Sequence, residues 1–309
     1  MLVIALTVLA AVTATACSTS PSSKAGSSTG GGGGGSAKKI QVVAAENFWG
    51  NIATQLGGDH VHVTSIITNP DTDPHDYEPK AADARTVAGA QYAIVNGIGY
   101  DAWADKLLAS NPAGGRGELK VGDLVGVKAG GNPHRWYSPA DVHKVIEKIT
   151  ADYKKADPAD AAYFDQQKTA FETKGLASYD KLISDIKRKY QGTPIGASES
   201  IVTPLSDGLG LKMLTPETFL DAMSEGTDPT AKDKTTIDDQ IKNKRIKIYV
   251  YNSQNSTPDV QAQVKEAKDA GIPVATVTET LAPANATFQQ WQATQLQVIE
   301  QALAKATGR

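Results

Sequence analysis

Short apolar runs alternate with helical segments along most of this 309-residue chain, and this alternation constrains its fold more than any other feature. Residues 40–45 and 92–96 in the first half, and residues 246–251 and 272–277 in the second, suit strands that are buried on both faces. Strands of this kind, separated by helices, form parallel sheets. The pattern predicts an α/β fold with two lobes, each built on a parallel sheet.

Four helix starts are marked by a capping side chain that is followed directly by proline. Proline suits the first turn of a helix, and a Ser, Thr or Asp side chain before it can accept a hydrogen bond from a free backbone N–H. The four pairs are Ser138-Pro139, Asp157-Pro158, Thr215-Pro216 and Thr257-Pro258. The last of these helices is expected to end at Gly271, which suits a left-handed cap.

Residues 158–190 predict an unusually long helix. After Pro158 the segment has no proline and only one glycine, Gly175, and its apolar residues recur at helical spacing. A continuous helix of this length would extend roughly 50 Å and bridge two lobes along one side. The alternative is a pair of shorter helices broken at Gly175.

The first 39 residues predict export and tethering. Residues 1–16 carry an apolar run of the length found in secretory signals, and ATAC at residues 14–17 resembles a bacterial lipobox, in which Cys17 becomes the lipid-modified first residue. Residues 17–39 are rich in glycine and serine, cannot bury a core, and are interpreted as a flexible tether with a reach of roughly 25 Å. An ordinary cleaved signal is the alternative and implies the same compartment.

Composition excludes several functions. Cys17 is the only cysteine, so residues 40–309 can form neither an internal disulfide nor a thiolate zinc site, and any metal must be held by His, Asp or Glu. The chain has a formal net charge of −3 although three lysines precede residue 40, so the folded part is more acidic still. An acidic domain argues against nucleic acid as a partner. No glycine-rich run leads into Gly-Lys-Ser/Thr, as a phosphate-binding loop requires.

Two segments of the first half each place a histidine directly after a proline. They read DPHDYEP at residues 73–79 and NPHRWYSP at residues 132–139, so the histidines are His75 and His134. Proline fixes its own φ and favours an extended conformation in the residue before it, so each imidazole is held on a stiff loop. Neutral imidazole is the commonest metal ligand, and two from separate loops can bind one ion if the fold brings them together.

These two motifs belong to a longer ordered set. It also includes NGIGYDAW at residues 96–103, the long helical segment, and VTETL at residues 277–281. The set resembles the zinc/manganese solute-binding lipoproteins of ABC transporters, in the family's order and over essentially all of residues 40–309. The resemblance implies an N-terminal α/β lobe at residues 40–157 and a C-terminal α/β lobe at residues 191–309, joined by a single long helix over residues 158–190, with a metal in the cleft between them.

The resemblance also implies the metal ligands. His75 and His134 match the two histidines from the first lobe, and Glu199 and Glu279 match the two ligands from the second. Two neutral imidazoles and two carboxylates neutralise a divalent cation and allow four to six coordination.

Four other polar residues, outside the ligand set, carry further expectations. Asp76 and Glu78 are expected to orient His75 by accepting its second ring N–H, as partners of ligating imidazoles do. His60 and His62 alternate in DHVHV and would share one face of a strand. They indicate either a second metal site or an exposed strand edge, and we favour the strand edge.

We therefore expect a non-enzymatic, monomeric binding protein that is lipid-anchored at the outer face of the cytoplasmic membrane. It would capture one divalent transition metal and deliver it to an ABC permease. The carboxylate at position 199 favours manganese or iron, although the ordinary affinity order would let zinc bind more tightly than manganese. We expect manganese or zinc as the cargo, with iron also compatible. The alternatives are a metal-dependent hydrolase with Glu199 as general base, which needs an open coordination position, and a surface adhesin. A Ser…Asp…His hydrolase is excluded because all five histidines precede residue 144.

Overall fold

The computed structural model describes three ranges of the chain: residues 39–75, 77–255 and 257–309. The predicted export signal, the lipidation site Cys17 and all but the last residue of the tether lie outside these ranges, as does Asp76. Within them, no helix is both long enough and apolar enough to cross a bilayer.

The first lobe is built on a four-stranded sheet in which every neighbouring pair is parallel. Its strands are β1 (Ile40–Glu46), β2 (Val61–Ile67), β3 (Tyr92–Val95) and β4 (Gly117–Lys120). Their order across the sheet is β2-β1-β3-β4, which places the predicted strands β1 and β3 at the centre. Both central strands are almost entirely buried, as their continuous apolar sequences predict.

The helices of this lobe cover both faces of the sheet. They are α1 (Asn47–Gly57), α2 (Ala81–Gly89), α3 (Ala102–Ser110), α4 (Val121–Val125) and α5 (Pro139–Ala156). The start of α5 is as predicted, because the Ser138 hydroxyl accepts a hydrogen bond from the N–H of Asp141 at 3.4 Å. The apolar face of α5, which includes Val145 and Ile149, is completely buried in the core.

The linking segment is helical but not uniform. A 3-10 turn (Pro158–Asp160) leads into α6 (Ala161–Ala170), a π-helical turn (Phe171–Gly175) and α7 (Ala177–Tyr190). The N–H of Leu176 donates to the carbonyl oxygen of Phe171, so hydrogen bonding continues through the bulge. A Cβ at Gly175 would lie 2.9 Å from the Phe171 ring, which explains the glycine there. The predicted single helix is thus interrupted at the glycine, although the chain keeps a helical path.

The second lobe repeats the arrangement of the first. Its strands are β5 (Pro194–Ala197), β6 (Lys212–Met213), β7 (Ile248–Asn252) and β8 (Val274–Val277). They pair in parallel in the order β6-β5-β7-β8. Its helices are α8 (Val202–Leu209), α9 (Glu217–Ser224), α10 (Ala231–Lys242), α11 (Pro258–Asp269) and α12 (Phe288–Thr307). The predicted α/β fold with two parallel sheets is confirmed.

Two of the four predicted caps in this chain differ from expectation. Asp157 makes no capping hydrogen bond with its side chain. Pro216 occupies the N-cap position of α9 instead of its first turn, and the Thr215 hydroxyl accepts the N–H of Ala197 at 3.0 Å. Thr257, by contrast, caps α11 through the N–H of Val260 as predicted. A threonine hydroxyl near a sheet can accept a hydrogen bond from a strand's backbone N–H instead of from the N–H groups at a helix start. Local sequence does not distinguish the two cases.

The two lobes share an apolar core. Buried residues of both belong to one contiguous cluster, in which the Phe48 ring stacks on Trp136 with 4.0 Å between centroids. Polar bonds cross the same junction: the Tyr137 hydroxyl donates to the carbonyl oxygen of Thr278 at 2.7 Å, and the N–H of Phe288 donates to Asn51 Oδ1 at 2.8 Å. The junction therefore holds the lobes at a defined separation on either side of a cleft.

Candidate metal centre

The cleft lies where the strands of both sheets end. Glu199 follows β5 by two residues and Glu279 follows β8 by two residues, while His75 and His134 lie in loops of the first lobe. The carboxyl ends of parallel strands form the usual ligand-binding edge of an open α/β sheet. All four predicted ligands line one cavity of about 160 Å³.

His75 is held by its loop and presents a free ring nitrogen. Its backbone N–H donates to Asp73 Oδ1 at 2.8 Å, and the indole of Trp103 donates to the carbonyl oxygen of Pro74 at 3.1 Å. The ring packs edge-on to Tyr100 with 4.8 Å between centroids. Nε2 is buried and has no hydrogen-bond partner among the described residues. Burying a ring nitrogen that has no hydrogen-bond partner costs free energy unless a ligand binds to it.

His134 is completely buried next to Trp136. Its Nδ1 lies 3.0 Å from Asn132 Oδ1, which also accepts the backbone N–H of His134 at 3.0 Å. Burial lowers the pKa of His134 despite the nearby Glu279 carboxylate, so the ring is neutral. An amide oxygen can only accept, so we assign the proton to Nδ1, which leaves the lone pair of Nε2 directed at the cavity.

Glu279 is an ionised carboxylate of the same cluster. Burial alone would raise its pKa, but the interaction with His134 when that ring is protonated, the nearby His75 and the hydrogen bond from the Tyr100 hydroxyl outweigh burial and lower the pKa. Tyr100 donates to Oε1 at 3.0 Å, and that oxygen lies 3.8 Å from His134 Nε2. One ligand atom each from His75, His134 and Glu279 lie within 4.8 Å of one another. Three predicted ligands thus already converge.

Glu199 lines the cavity but stands back from the other three. Its Oε2 accepts a hydrogen bond from Asn255 Nδ2 at 2.8 Å, while Oε1 is buried without a partner among the described residues. Burial first, and then the charge of Glu279, raise the pKa of Glu199 to about 8. At neutral pH its carboxyl group is therefore largely protonated until a cation enters.

The cavity favours a cation. Among the described residues its lining includes four acidic side chains and no Lys or Arg. Asp71, Asp73 and Glu279 supply the charge, and Glu199 adds a further carboxylate once its proton leaves. A cleft lined by one sign of charge concentrates ions of the opposite sign. Two neutral imidazoles, two carboxylates and two unsatisfied ligand atoms fit a divalent transition metal.

The structure also locates partners that the sequence did not indicate. Glu78 is exposed and does not line the cavity, whereas Asp73, whose role was not predicted, bonds the backbone of His75. Asn132 supports His134, and Asn255 supports Glu199. Asn132 lies only two residues before its histidine, so an acceptor role could have been read from the motif. Asn255 lies 56 residues from its partner, and no local signal connects the two.

Fold and site together define a two-lobed metal-binding protein of the α/β class. The model of the family described as "ZnuA: Zinc-uptake complex component A periplasmic" matches residues 42–302, and the chain belongs to this family. The family resemblance seen in the sequence is thereby confirmed.

Named relatives bind different metals. "Iron-binding protein YfeA" of Yersinia pestis is 30% identical over 147 residues, which are 45% of this chain and 46% of that protein, so the match spans about half the relative's length. "Metal ABC transporter substrate-binding lipoprotein ScbA" of Streptococcus cristatus is 26% identical over 258 residues, 77% of this chain and 79% of that protein. "Manganese-binding lipoprotein MntA" of Halalkalibacterium halodurans is 27% identical over 128 residues, 40% of this chain and 42% of that protein.

Solved structures show the same fold. A manganese-bound periplasmic metal-binding protein from Candidatus Liberibacter asiaticus superposes with a TM-score of 0.71 at 20% identity, covering 86% of this chain and all of that one. The nickel complex of the binding protein FpvC from Pseudomonas aeruginosa gives a TM-score of 0.71 at 18% identity, covering 88% of this chain and 99% of that one. At these identities the likeness concerns the fold alone.

Proposed function

We propose that this chain is the extracytoplasmic metal-binding component of an ABC importer, which captures one divalent transition metal and delivers it to a membrane permease. The observation that carries the proposal is the convergence of His75, His134 and Glu279 within 4.8 Å in a cavity that Glu199 also lines. Relatives named as metal ABC transporter substrate-binding lipoproteins support the transport role, the permease partner and lipid anchoring at Cys17.

Binding proceeds from the three converged ligands to the fourth. The ion is held first by His75 Nε2, His134 Nε2 and Glu279, whose lone pairs are already directed at the cavity. Its charge then displaces the proton of Glu199, since a divalent cation replaces the unfavourable interaction between two buried carboxylates. The free Oε1 of Glu199 becomes the fourth ligand while Asn255 keeps hold of Oε2.

Release follows from the division of the ligands between the lobes. Both histidines belong to the first lobe and both glutamates to the second, so a relative movement of the lobes separates the two halves of the site. A permease that binds both lobes can use this movement to withdraw the carboxylates. The protein acts as a monomer and needs no catalytic step.

The cargo is manganese or zinc, with iron as a further candidate. Two imidazoles and two carboxylates suit each of these ions, and the metals named for the relatives also differ among iron, manganese and zinc. No feature of the described residues favours the alternatives of a hydrolase that uses Glu199 as general base or of an adhesin.

Titration calorimetry of the full chain with Mn(II) and Zn(II) tests the assignment. His75→Ala and His134→Ala should each abolish high-affinity binding of both metals, because each removes one of three converged ligands. His143→Ala is the matched control, since His143 pairs with Asp180 on an exposed face outside the cavity. Full affinity in either ligand variant would overturn the site, and elemental analysis of protein from its native envelope identifies the cargo.

A further inference from the structure

A second group of metal-ligating side chains lies outside the cleft, where the first lobe meets the linking segment. It consists of His60, Asp157 and Asp160, which each place one ligand atom within 4.8 Å of the others. His60 ends the 3-10 turn before β2, Asp157 follows α5, and Asp160 ends the 3-10 turn before α6. None of the three lines the cleft cavity.

The imidazole of His60 is held in a fixed orientation. Its ring lies against Tyr163 with 4.1 Å between centroids and meets Phe164 edge-on at 5.9 Å. The Tyr163 hydroxyl accepts the backbone N–H of Asp59 at 3.2 Å, which ties the aromatic ring to the same turn. His60 Nδ1 then lies 2.6 Å from Asp160 Oδ2, so the two atoms share a proton, and a cation that binds both releases that proton to solvent. Little conformational entropy remains to be lost when a ligand binds.

Asp157 supplies a carboxylate without another structural use. It precedes Pro158, where an Asp side chain would normally cap the following turn, but it makes no capping hydrogen bond. Among the described residues, its carboxylate also forms no ion pair with a Lys or Arg. Its backbone is fixed, since its N–H donates to the carbonyl oxygen of Tyr153 at 2.8 Å. The free carboxylate is thus held beside His60.

We propose that His60, Asp157 and Asp160 form a second divalent-cation site, with Zn(II) as the best-matched ion. One neutral imidazole and two carboxylates balance the charge of a divalent cation, and zinc commonly takes three protein ligands and a water. Ligand atoms of a tetrahedral zinc site are about 3.4 Å apart, given metal–ligand distances of about 2.0–2.2 Å. The present separations, from 2.6 Å to at most 4.8 Å, bracket that value.

The site differs in two ways from the one that the histidine pattern suggested. His62 is exposed on the edge strand β2, whereas His60 precedes the strand and faces the linking segment. The partners of His60 are therefore acidic residues about 100 positions away. Because His60 and Asp160 keep roughly a quarter to a third of their side-chain surface exposed, the site is open to solvent and binds more weakly than the buried cleft.

The number of zinc ions bound per chain, measured by equilibrium dialysis and elemental analysis, tests this site. The protein used is the full chain without a polyhistidine tag. The wild type should bind two zinc ions. Asp157→Asn preserves shape and removes a carboxylate that has no other polar contact among the described residues, and this variant should bind one zinc ion. His60→Ala should also bind one. His62→Ala is the matched control and should bind two. His134→Ala, which disables the cleft, should retain the ion that Asp157→Asn loses.

The outcomes separate this inference from the proposed transport function. One zinc ion on the wild type, two on Asp157→Asn, or loss of the second ion in His62→Ala would each overturn the second site and leave the cleft unaffected. Failure of the cleft would instead show as equal stoichiometry of the wild type and His134→Ala. Thermal unfolding followed by circular dichroism identifies a variant that has lost its fold, and Asp157→Asn decides the matter if His60→Ala does not fold.

Discussion

Asn132→Ala tests how the cleft keeps His134 ready for a metal. The Asn132 side chain makes three hydrogen bonds: Oδ1 receives both Nδ1–H and the backbone N–H of His134, each at 3.0 Å, and Nδ2 donates to the carbonyl oxygen of Ser200 at 2.7 Å. The bond at Nδ1 selects the tautomer whose Nε2 lone pair is available to the ion.

The expected loss follows from what the ring does without this acceptor. Ser200 Oγ lies 3.5 Å from Nδ1, at the limit of hydrogen bonding, and replaces Asn132 only poorly. A buried N–H that has lost its main partner costs about 1–3 kcal/mol. The metal-free protein can avoid that cost by moving the proton to Nε2, which lies 3.8 Å from Glu279 Oε1. The proton then occupies the ligand atom, and the metal must displace it. Loss of such a partner lowers metal affinity by roughly 10–100-fold, or about 1.4–2.7 kcal/mol.

Calorimetry measures the affinities of Asn132→Ala and Asn132→Asp for Mn(II) and Zn(II). The comparison separates two explanations, the tautomer of His134 and the hydrogen bond from Asn132 to Ser200. A carboxylate at position 132 still accepts from His134 but no longer donates to Ser200. If the tautomer decides affinity, Asn132→Asp stays closer to the wild type than Asn132→Ala. Equal losses in both variants would instead assign the effect to the bond between the lobes, and unchanged affinity in Asn132→Ala would refute the reasoning altogether.

Two further perturbations act on buried carboxyl groups. Burial first, and the neighbouring Asp101, raise the pKa of Glu46, so the folded state keeps a proton that the unfolded state loses above pH of about 4.3. We expect the unfolding free energy of the wild type, measured by urea denaturation, to fall relative to that of Glu46→Gln as pH rises towards the raised pKa. The expected slope is about 1.4 kcal/mol per pH unit. Parallel pH profiles of the two proteins would contradict this. Asn255→Ala should raise the affinity for Mn(II) relative to Zn(II) by about tenfold, because it releases the Oε2 atom of Glu199. The exposed control Asn243→Ala should change neither affinity. An unchanged affinity ratio in Asn255→Ala would contradict the role given to that side chain.

Local signals predicted the two central strands of the first lobe and two helix starts well. β1 and β3 are continuous apolar runs, and Ser138 and Thr257 cap helices as their sequences indicate. The strands predicted at residues 246 and 272 begin two residues later, although Ile246 and Ile272 are buried. Apolar character marks burial, whereas a strand also needs a partner's hydrogen bonds, and these depend on residues far along the chain.

The candidate site likewise has some features that adjacent residues indicate and others that depend on residues far along the chain. The two histidines that directly follow a proline, His75 and His134, could be found from adjacent residues. The family resemblance indicated Glu199 and Glu279. Sequence did not show that three of the four ligand atoms converge while Glu199 stands apart, because that depends on the packing of two sheets and on Asn255. For His60 the sequence left a second metal site open but favoured an exposed strand edge, because its acidic neighbours depend on where the linking segment begins.

The position of Glu199 bears directly on the choice of metal. Asn255 holds Oε2 at 2.8 Å and Oε1 has no partner among the described residues. In the proposed site, a single oxygen from Glu199 would therefore complete a set of four ligands with His75, His134 and Glu279. Four coordination suits zinc, whereas manganese prefers six ligands, mostly oxygen. Releasing Oε2 would allow Glu199 to bind through both oxygens and would favour manganese. In the proposed site, the side chain expected to decide selectivity is therefore Asn255, which is not a ligand but sets how many oxygens its neighbour can offer.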